Sequence, residues 1–280
     1  MPFVAEGKGA TVRVTNPLAE DEAYLRGDLL TTLIGRAEHN LARMQGNVRL
    51  FEIGTAFFAG ESPANLPGPK KAMLPREEMH VAALIMGQRA PTHFTRAVQP
   101  SYDEWDIKYV AETTAAAAFT GAAVKLIPGS GETLWNISVD GKTVGLARRL
   151  KLDAPVWARP AFGLEINLDA IEQTAVRNKA YRPIPLTPRV QVDLALVAAT
   201  SVTAAQIDEV IRREAGELLE SLTLFDEFIG QGIPEGSRSL AWALTFRHPE
   251  RTLKDKEVQG RTETIVKALE GELGVRQRTS

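Results

Sequence analysis

The sequence predicts an α+β protein in two parts: a module of strand segments and helices, then a smaller βαββαβ unit. Three observations carry this. After residue 187, strand-like alternation and helix-period stretches follow one another in the order βαββαβ. Before it, two helix-period stretches are set among strand segments, one pair of which is joined by Asp140-Gly141. Between the two parts, RNKAYRPIPLTPR (177–189) is proline-rich and has little periodicity, which marks a linker. The boundaries expected are a first module at 1–180, a linker at 181–186 and a second domain at 187–280.

In the first module, Leu29, Leu30, Leu33, Ile34, Ala37, Leu41 and Met44 recur at helical spacing, predicting an amphipathic helix from Asp28 to about Met44, stopped by Gly46-Asn47. NVRLFEIGTAFFAG then reads as a strand or strand pair, residues 61–77 as an exposed proline-rich loop, and HVAALIMG as a buried strand. SYDEWDIKYVAETTAAAAFTGA is helical in its second part. TLWNISVDGKTVGLARR is a hairpin, and FGLEINLDAIEQTA a strand running into a helix.

In the second domain, Val190, Val192, Leu194 and Leu196 alternate as a strand. Thr203 and Gln206 form a capping box ahead of a helix carrying Ile207, Val210, Ile211, Leu218 and Leu219. LFDEFIGQGIPEGSRSLAWALTF reads as a hairpin. Thr252 with Asp255 then predicts the N-cap of a helix using Val258, Ile265, Val266, Leu269 and Leu273, ended by Gly274 before a short strand in VRQR. This order is the ferredoxin-like split unit, with both helices on one face of a four-stranded antiparallel sheet. Leu240, Trp242, Leu244 and Phe246 then face the helices, and Asp226, Phe228 and Ser239 fall on a face with no element left to cover it. An exposed aromatic with polar neighbours can stack and read an RNA base; an ordinary solvated face with one stray Phe is the plainer alternative.

Composition bounds the function. Apolar content of 44% and charged content of 24% are those of a globular protein. The absence of cysteine excludes disulfides, thiolate metal sites and cysteine nucleophiles. No signal peptide and no apolar run of membrane-spanning length is visible, so a soluble, cytoplasmic protein is expected. Formal net charge is −2, and splitting the chain near Leu186 leaves 21 Lys/Arg against 20 Asp/Glu before it and 12 against 15 after it. Any RNA binding must therefore rest on a local patch and base contacts.

The quoted hairpin with its continuation RHPERTLKDKEV, together with PIPLTPRVQVDLALV, resembles the ferredoxin-fold anticodon-binding domain of the bacterial phenylalanyl-tRNA synthetase β subunit. NPLAEDEAYLRGDLLTTLIGRAEHNLARMQGNVRLFEIGTAFF is similar to the opening of that family's catalytic-like module, with weaker likeness in WDIKYVAE and FGLEINLDAIE. The resemblance covers about Val14 to Arg278. It implies a class II synthetase-like antiparallel sheet with helices that has lost its own active site, packed against the catalytic α subunit in an (αβ)₂ heterotetramer. It also implies that residues 187–280 hold the anticodon of tRNA-Phe. Asp226, Phe228 and Ser239 stand where the family contacts the first anticodon base, a guanine, with Phe228 in place of the usual Tyr. Arg247, Arg251, Lys254 and Lys256 are the expected phosphate contacts, and Arg276 or Arg278 matches a terminal arginine. No cofactor is expected on this chain; ATP and Mg²⁺ serve the complete enzyme, on its α subunit. The alternative is a purely structural subunit or fragment without RNA binding.

There are departures. The family's Arg-Asp in the first strand of the terminal domain is Val192-Asp193 here, and the His-Pro-Gly element is missing. The family's N-terminal RNA-binding, editing and Mg-binding modules have no counterpart, so a fragment or reduced relative that does not edit mischarged tRNA is expected. RLFEIGTAFF and FGLEINLDAIEQ lack the arginines that a class II ATP site uses. GSGE at 129–132 is read as a plain turn, and His39, His80, His93 and His248 as structural or surface residues. Asp103, Glu104 and Asp106 around Trp105 read as a solvated acidic turn; Arg148, Arg149 and Lys151 read as an exposed basic face or a contact to RNA or a partner.

Overall fold

The computed structural model describes residues 3–5, 12–18, 23–59, 75–96, 98–172 and 185–278. The chain folds as two units, Met1–Ala180 and Tyr181–Ser280. Most of the expected linker, and most of the expected 61–77 loop, lie outside the described residues.

The first unit holds a small sheet of β1 (Phe3–Ala5), β2 (Val12–Val14) and β3 (Tyr24–Leu25). Its main sheet has six strands: β4 (Val48–Phe58), β5 (Arg76–Met86), β6 (Val124–Pro128), β7 (Thr133–Val139), β8 (Lys142–Leu150) and β9 (Ala161–Asn167). They lie in the order β4-β5-β9-β8-β7-β6, with every neighbour antiparallel. Helices α1 (Leu30–Leu41) and α2 (Glu104–Ala118) cover opposite faces. Ala82, Leu84 and Met86 of β5 join the α1 cluster, whereas Val81 and Ile85 join the α2 cluster. The two-residue period of a strand buried on both sides requires this split.

Helix α1 is shorter than its apolar spacing predicts. It ends at Leu41, and Met44 takes a left-handed conformation (φ 62°) before Gly46 is reached. The acidic turn has a definite role: Asp103 Oδ1 accepts the Asp106 N–H at 3.2 Å while Asp106 Oδ2 accepts the Asp103 N–H at 2.8 Å, a capping box for α2. Arg89 bridges both carboxylates. Asp140 and Gly141 both have positive φ (48° and 82°), the turn that suits the twist of the β7–β8 hairpin. After β9, residues 168–172 are not helical, and the rest of the helix expected there lies outside the described residues. GSGE belongs to the β6–β7 connection, and Lys151 pairs with Glu132 within it.

The second unit runs β10 (Val190–Ala199), α3 (Ala204–Ala215), a 3₁₀ turn (Gly216–Leu218), β11 (Leu219–Phe228), β12 (Ser237–Phe246), α4 (Asp255–Leu273) and β13 (Arg276–Gln277). The sheet order is β11-β12-β10-β13, fully antiparallel. Leu240, Trp242, Leu244 and Phe246 are at most 3% exposed and share one core with Ile207, Ile211, Ile265 and Leu269 of the two helices. The Thr203–Gln206 capping box forms as the spacing predicts. The second cap differs. Lys254, not Thr252, is the N-cap residue of α4, and Glu257 reaches back to accept the Lys254 N–H at 2.9 Å. Gly274, at φ 65°, closes the helix as expected.

Candidate nucleic-acid interface

Pairing register fixes which residues share the face of the second sheet that the helices leave uncovered. On β12 these are Ser239, Ala241, Ala243 and Thr245, since the intervening residues enter the core. Asp226 lies opposite Ala241 and Phe228 opposite Ser239, so both acid and ring belong to this face. Across β10, Ala195 and Val197 continue it, and β13 adds Arg276 opposite Val197 and Arg278, whose N–H bonds the Ala195 carbonyl.

The four strands bring Phe228, from one edge, and Arg278, from the other, into contact. The Arg278 guanidinium carbon lies 5.6 Å from the centroid of the Phe228 ring. The arginine therefore spans the central strands on which Ser239 sits. Phe228 is 41% exposed, while Ser239 is only 5% exposed. The expectation that Ser239 stands open on the surface is thus corrected: its hydroxyl is at the floor of the site, opposite the ring. Gly230 makes room for that ring, because a Cβ there would come within 2.9 Å of its tip. The Asp226 carboxylate is exposed and has no hydrogen-bond or ion-pair partner among the described residues. It is free to accept from a ligand.

The remaining basic residues are not gathered here. Arg247 follows β12, and Arg251, Lys254 and Lys256 lie in the loop and first turn of α4 beyond it. From Ser239 to Phe246 the strand runs about 24 Å at ~3.4 Å per residue, so this group sits at the far end of the sheet. Arg247 is tucked against Glu220 (3.3 Å) and the Pro185 carbonyl (3.4 Å). Arg251 makes a two-pronged pair with Glu257 at 2.9 and 2.7 Å. That pair and the Lys254 N–H hold the Glu257 carboxyl down to about 2. Lys256 is exposed, and Arg276 is exposed with only a 3.8 Å approach to Glu270. Of the two terminal arginines, Arg278 is the one joined to Phe228.

The first unit carries a polar cluster that residue spacing does not reveal. Glu165, on an otherwise apolar buried strand, accepts the N–H groups of Leu29 and Leu30 at 3.0 to 3.1 Å, at the N-terminus of α1. His80 Nδ1 lies 2.6 Å from the same carboxylate and its Nε2 3.5 Å from Glu78. Burial alone would lower the His80 pKa, but the hydrogen bonds and charges of Glu165 and Glu78 outweigh it and hold it above its usual 6.5. The helix end that in other proteins receives an anion is here filled by the protein's own carboxylate.

A six-stranded antiparallel sheet between helices, and in the second unit an open-faced βαββαβ sheet with an aromatic–arginine pair, define an α+β protein whose second unit is ferredoxin-like. Residues 185–278 match the family of ferredoxin-fold anticodon binding domains. Residues 3–150, more than half of the chain, match the phenylalanyl tRNA synthetase beta chain CLM domain, and the chain belongs to this family. It is 34% identical over 281 residues to the phenylalanine–tRNA ligase beta subunit of Pseudomonas fluorescens, an alignment covering 95% of this chain and 33% of that one. To the beta subunits of Listeria innocua and Acinetobacter baylyi it is 31% identical, with 94% and 92% of this chain and 32% of each relative covered. The chain thus spans about a third of the length of the curated relatives it matches. Among the described residues no helix is long and apolar enough to cross a membrane.

Proposed function

We propose that the second unit holds the anticodon of tRNA-Phe on its open sheet face, and that the chain acts within a phenylalanine–tRNA ligase without catalysing the ligation itself. The observation that carries this reading is the Phe228–Arg278 pair beside the free Asp226 carboxylate, inside the segment matching the anticodon-binding family. The first anticodon base, a guanine, stacks on Phe228 and presents its N1–H and N2–H₂ edge to Asp226. Ser239 supports it from below, and the Arg278 guanidinium provides a second flat partner. Phe228 keeps the stacking surface of a tyrosine and lacks its hydroxyl, so selectivity falls to Asp226.

The first unit serves as a docking body for the catalytic α subunit. Phe51 (75% exposed) and Ile53 (61% exposed) on the edge strand β4 offer apolar surface that α2, seated over β6 to β9, leaves bare. ATP and Mg²⁺ act on the α subunit, in a cytoplasmic (αβ)₂ assembly. Titrating a fluorescent tRNA-Phe anticodon stem-loop with the chain tests the assignment. Phe228→Ala is expected to weaken binding by about 1–3 kcal/mol, the worth of one base–aromatic stack. Undiminished affinity in that variant would remove the open face from the account.

A further inference from the structure

Strand β11 breaks its own alternation twice. Its register with β12 skips a residue between Leu219 and Ser221, and again between Leu224 and Asp226. Each is a β-bulge, with two residues of β11 set against one of β12. Leu224 lies opposite the core residue Trp242, and the extra residue after it, Phe225, is exposed and takes no part in the core cluster beneath the helices. Asp226 lies opposite Ala241, on the uncovered face. The bulge therefore places Phe225 and Asp226 side by side where an unbroken strand would place one of them. The first bulge shows the same geometry. Glu220 follows the core-facing Leu219, Arg247 follows the core-facing Phe246, and the two meet in an ion pair at 3.3 Å.

Strand β11 thus presents two exposed aromatic rings, not one. Phe225 is 56% exposed and Phe228 is 41% exposed. They stand at the levels of Ala241 and Ser239, about 7 Å apart along the strand at ~3.4 Å per residue, with the Asp226 carboxylate between them. Ala241, Ala243 and Ala195 beneath are too small to fill the space between the rings. A large, half-exposed apolar ring in a bulge at a sheet edge costs solvation, and it resembles the successive stacking platforms of single-strand binders.

We infer that Phe225 is a second base-stacking platform, taking the unpaired nucleotide adjacent to the guanine that stacks on Phe228. The inference rests on the anticodon reading above and adds a contact to it. Such stacking is tolerant of base identity, since every base has a flat face. Phe225 therefore supplies affinity and holds the loop splayed, while Asp226 supplies the choice of guanine. The bulge is the device that separates these two tasks on neighbouring residues.

The test is an anisotropy titration of the full chain and its variants with the anticodon stem-loop, intact or carrying a single abasic site at the guanine or at either nucleotide next to it. Phe225→Ala is expected to weaken the intact loop roughly tenfold. That penalty should vanish with an abasic site at one neighbour of the guanine and persist with one at the guanine itself. Phe228→Ala should show the reverse pattern. Phe225→Leu, which keeps an apolar side chain in the bulge, should lose affinity like Phe225→Ala, and it stands in if the alanine variant fails to fold. Wild-type affinity in Phe225→Leu, alongside a weakened Phe228→Ala, would overturn the second platform and leave the anticodon reading intact. A Phe225 penalty unchanged by every abasic site would also overturn it, since the ring would then only shape the hairpin. Failure of the folded wild-type chain to bind any loop would remove the anticodon reading, and this inference with it.

Discussion

Asp226 shows what one side chain does when its surroundings leave it unpaired. The face around it is built of alanines and an aromatic pair, so its carboxylate meets no cation from its own unit among the described residues. A carboxylate accepts only, and guanine is the base that offers two donors on one edge. Asp226→Asn retains the size and exchanges one acceptor for a donor. It should reduce the preference for guanine over adenine at the first anticodon position by about 1.5–3 kcal/mol, the worth of hydrogen bonds to a charged group. Competition between the two stem-loops reads this directly; a preference unchanged by the substitution would move the reading group elsewhere. At this scale the sequence shows Asp226 and Phe228 clearly, because their spacing places them on one face. It misplaces Ser239 in exposure: the residue is buried, with Phe228 opposite it on the neighbouring strand and Arg278 meeting that ring from the far edge of the sheet. It also misses Phe225, because a bulge is a fault in register and leaves no trace in residue type.

Helix α1 shows how an element can be secured from outside its own sequence. Its N-terminal N–H groups bond Glu165, a residue far along the chain on β9, and that carboxylate also holds His80 of β5. The groups facing His80 are Glu165, Glu78 and the Phe58 ring, with Asn167 donating to Glu78 at 2.6 Å. The folded imidazole binds its proton more tightly than the unfolded one, so the stabilisation is fully present below pH 6.5 and is lost as pH rises through the folded value. Urea unfolding of the first unit, followed as pH rises from 6.5, is expected to show stability falling until the folded imidazole has lost its proton, and His80→Gln should flatten the fall. An identical pH profile in the variant would mean that His80 is not the linked group. The element boundaries are partly legible. Thr203-x-x-Gln206 announces its helix, and Asp140-Gly141 its turn, because in each the side chain or the backbone preference acts locally. The cap of α4 lies two residues beyond the position its sequence suggests, since Glu257 completes it from inside the helix and the residue at the cap is a lysine. A lone Glu in the apolar strand AFGLEIN is the available sign of the α1 cap.

For the whole molecule, the βαββαβ order, the two units and the family are legible in the sequence. Periodicity reports burial, and residues 185–278 match the family of ferredoxin-fold anticodon binding domains. The placement of the basic residues is not. Arg247, Arg251, Lys254 and Lys256 are close in sequence to the hairpin yet lie at the far end of β12 from Phe228, and two of them are engaged by Glu220 and Glu257. Arg278, at the end of the described residues, is brought beside Phe228 only because β13 pairs with β10. With one arginine stacked at the site and a net charge of −2 for the chain, the proposed RNA binding rests on base contacts more than on the field. The most direct test of the central claim is a fluorescence-anisotropy titration of the folded chain with two tRNA-Phe anticodon stem-loops, alike except that the first anticodon guanine is adenine in one. Tighter binding of the guanine loop is the result expected from Asp226 and Phe228 on an open sheet face. Equal affinity for both, or no binding of either, would contradict it.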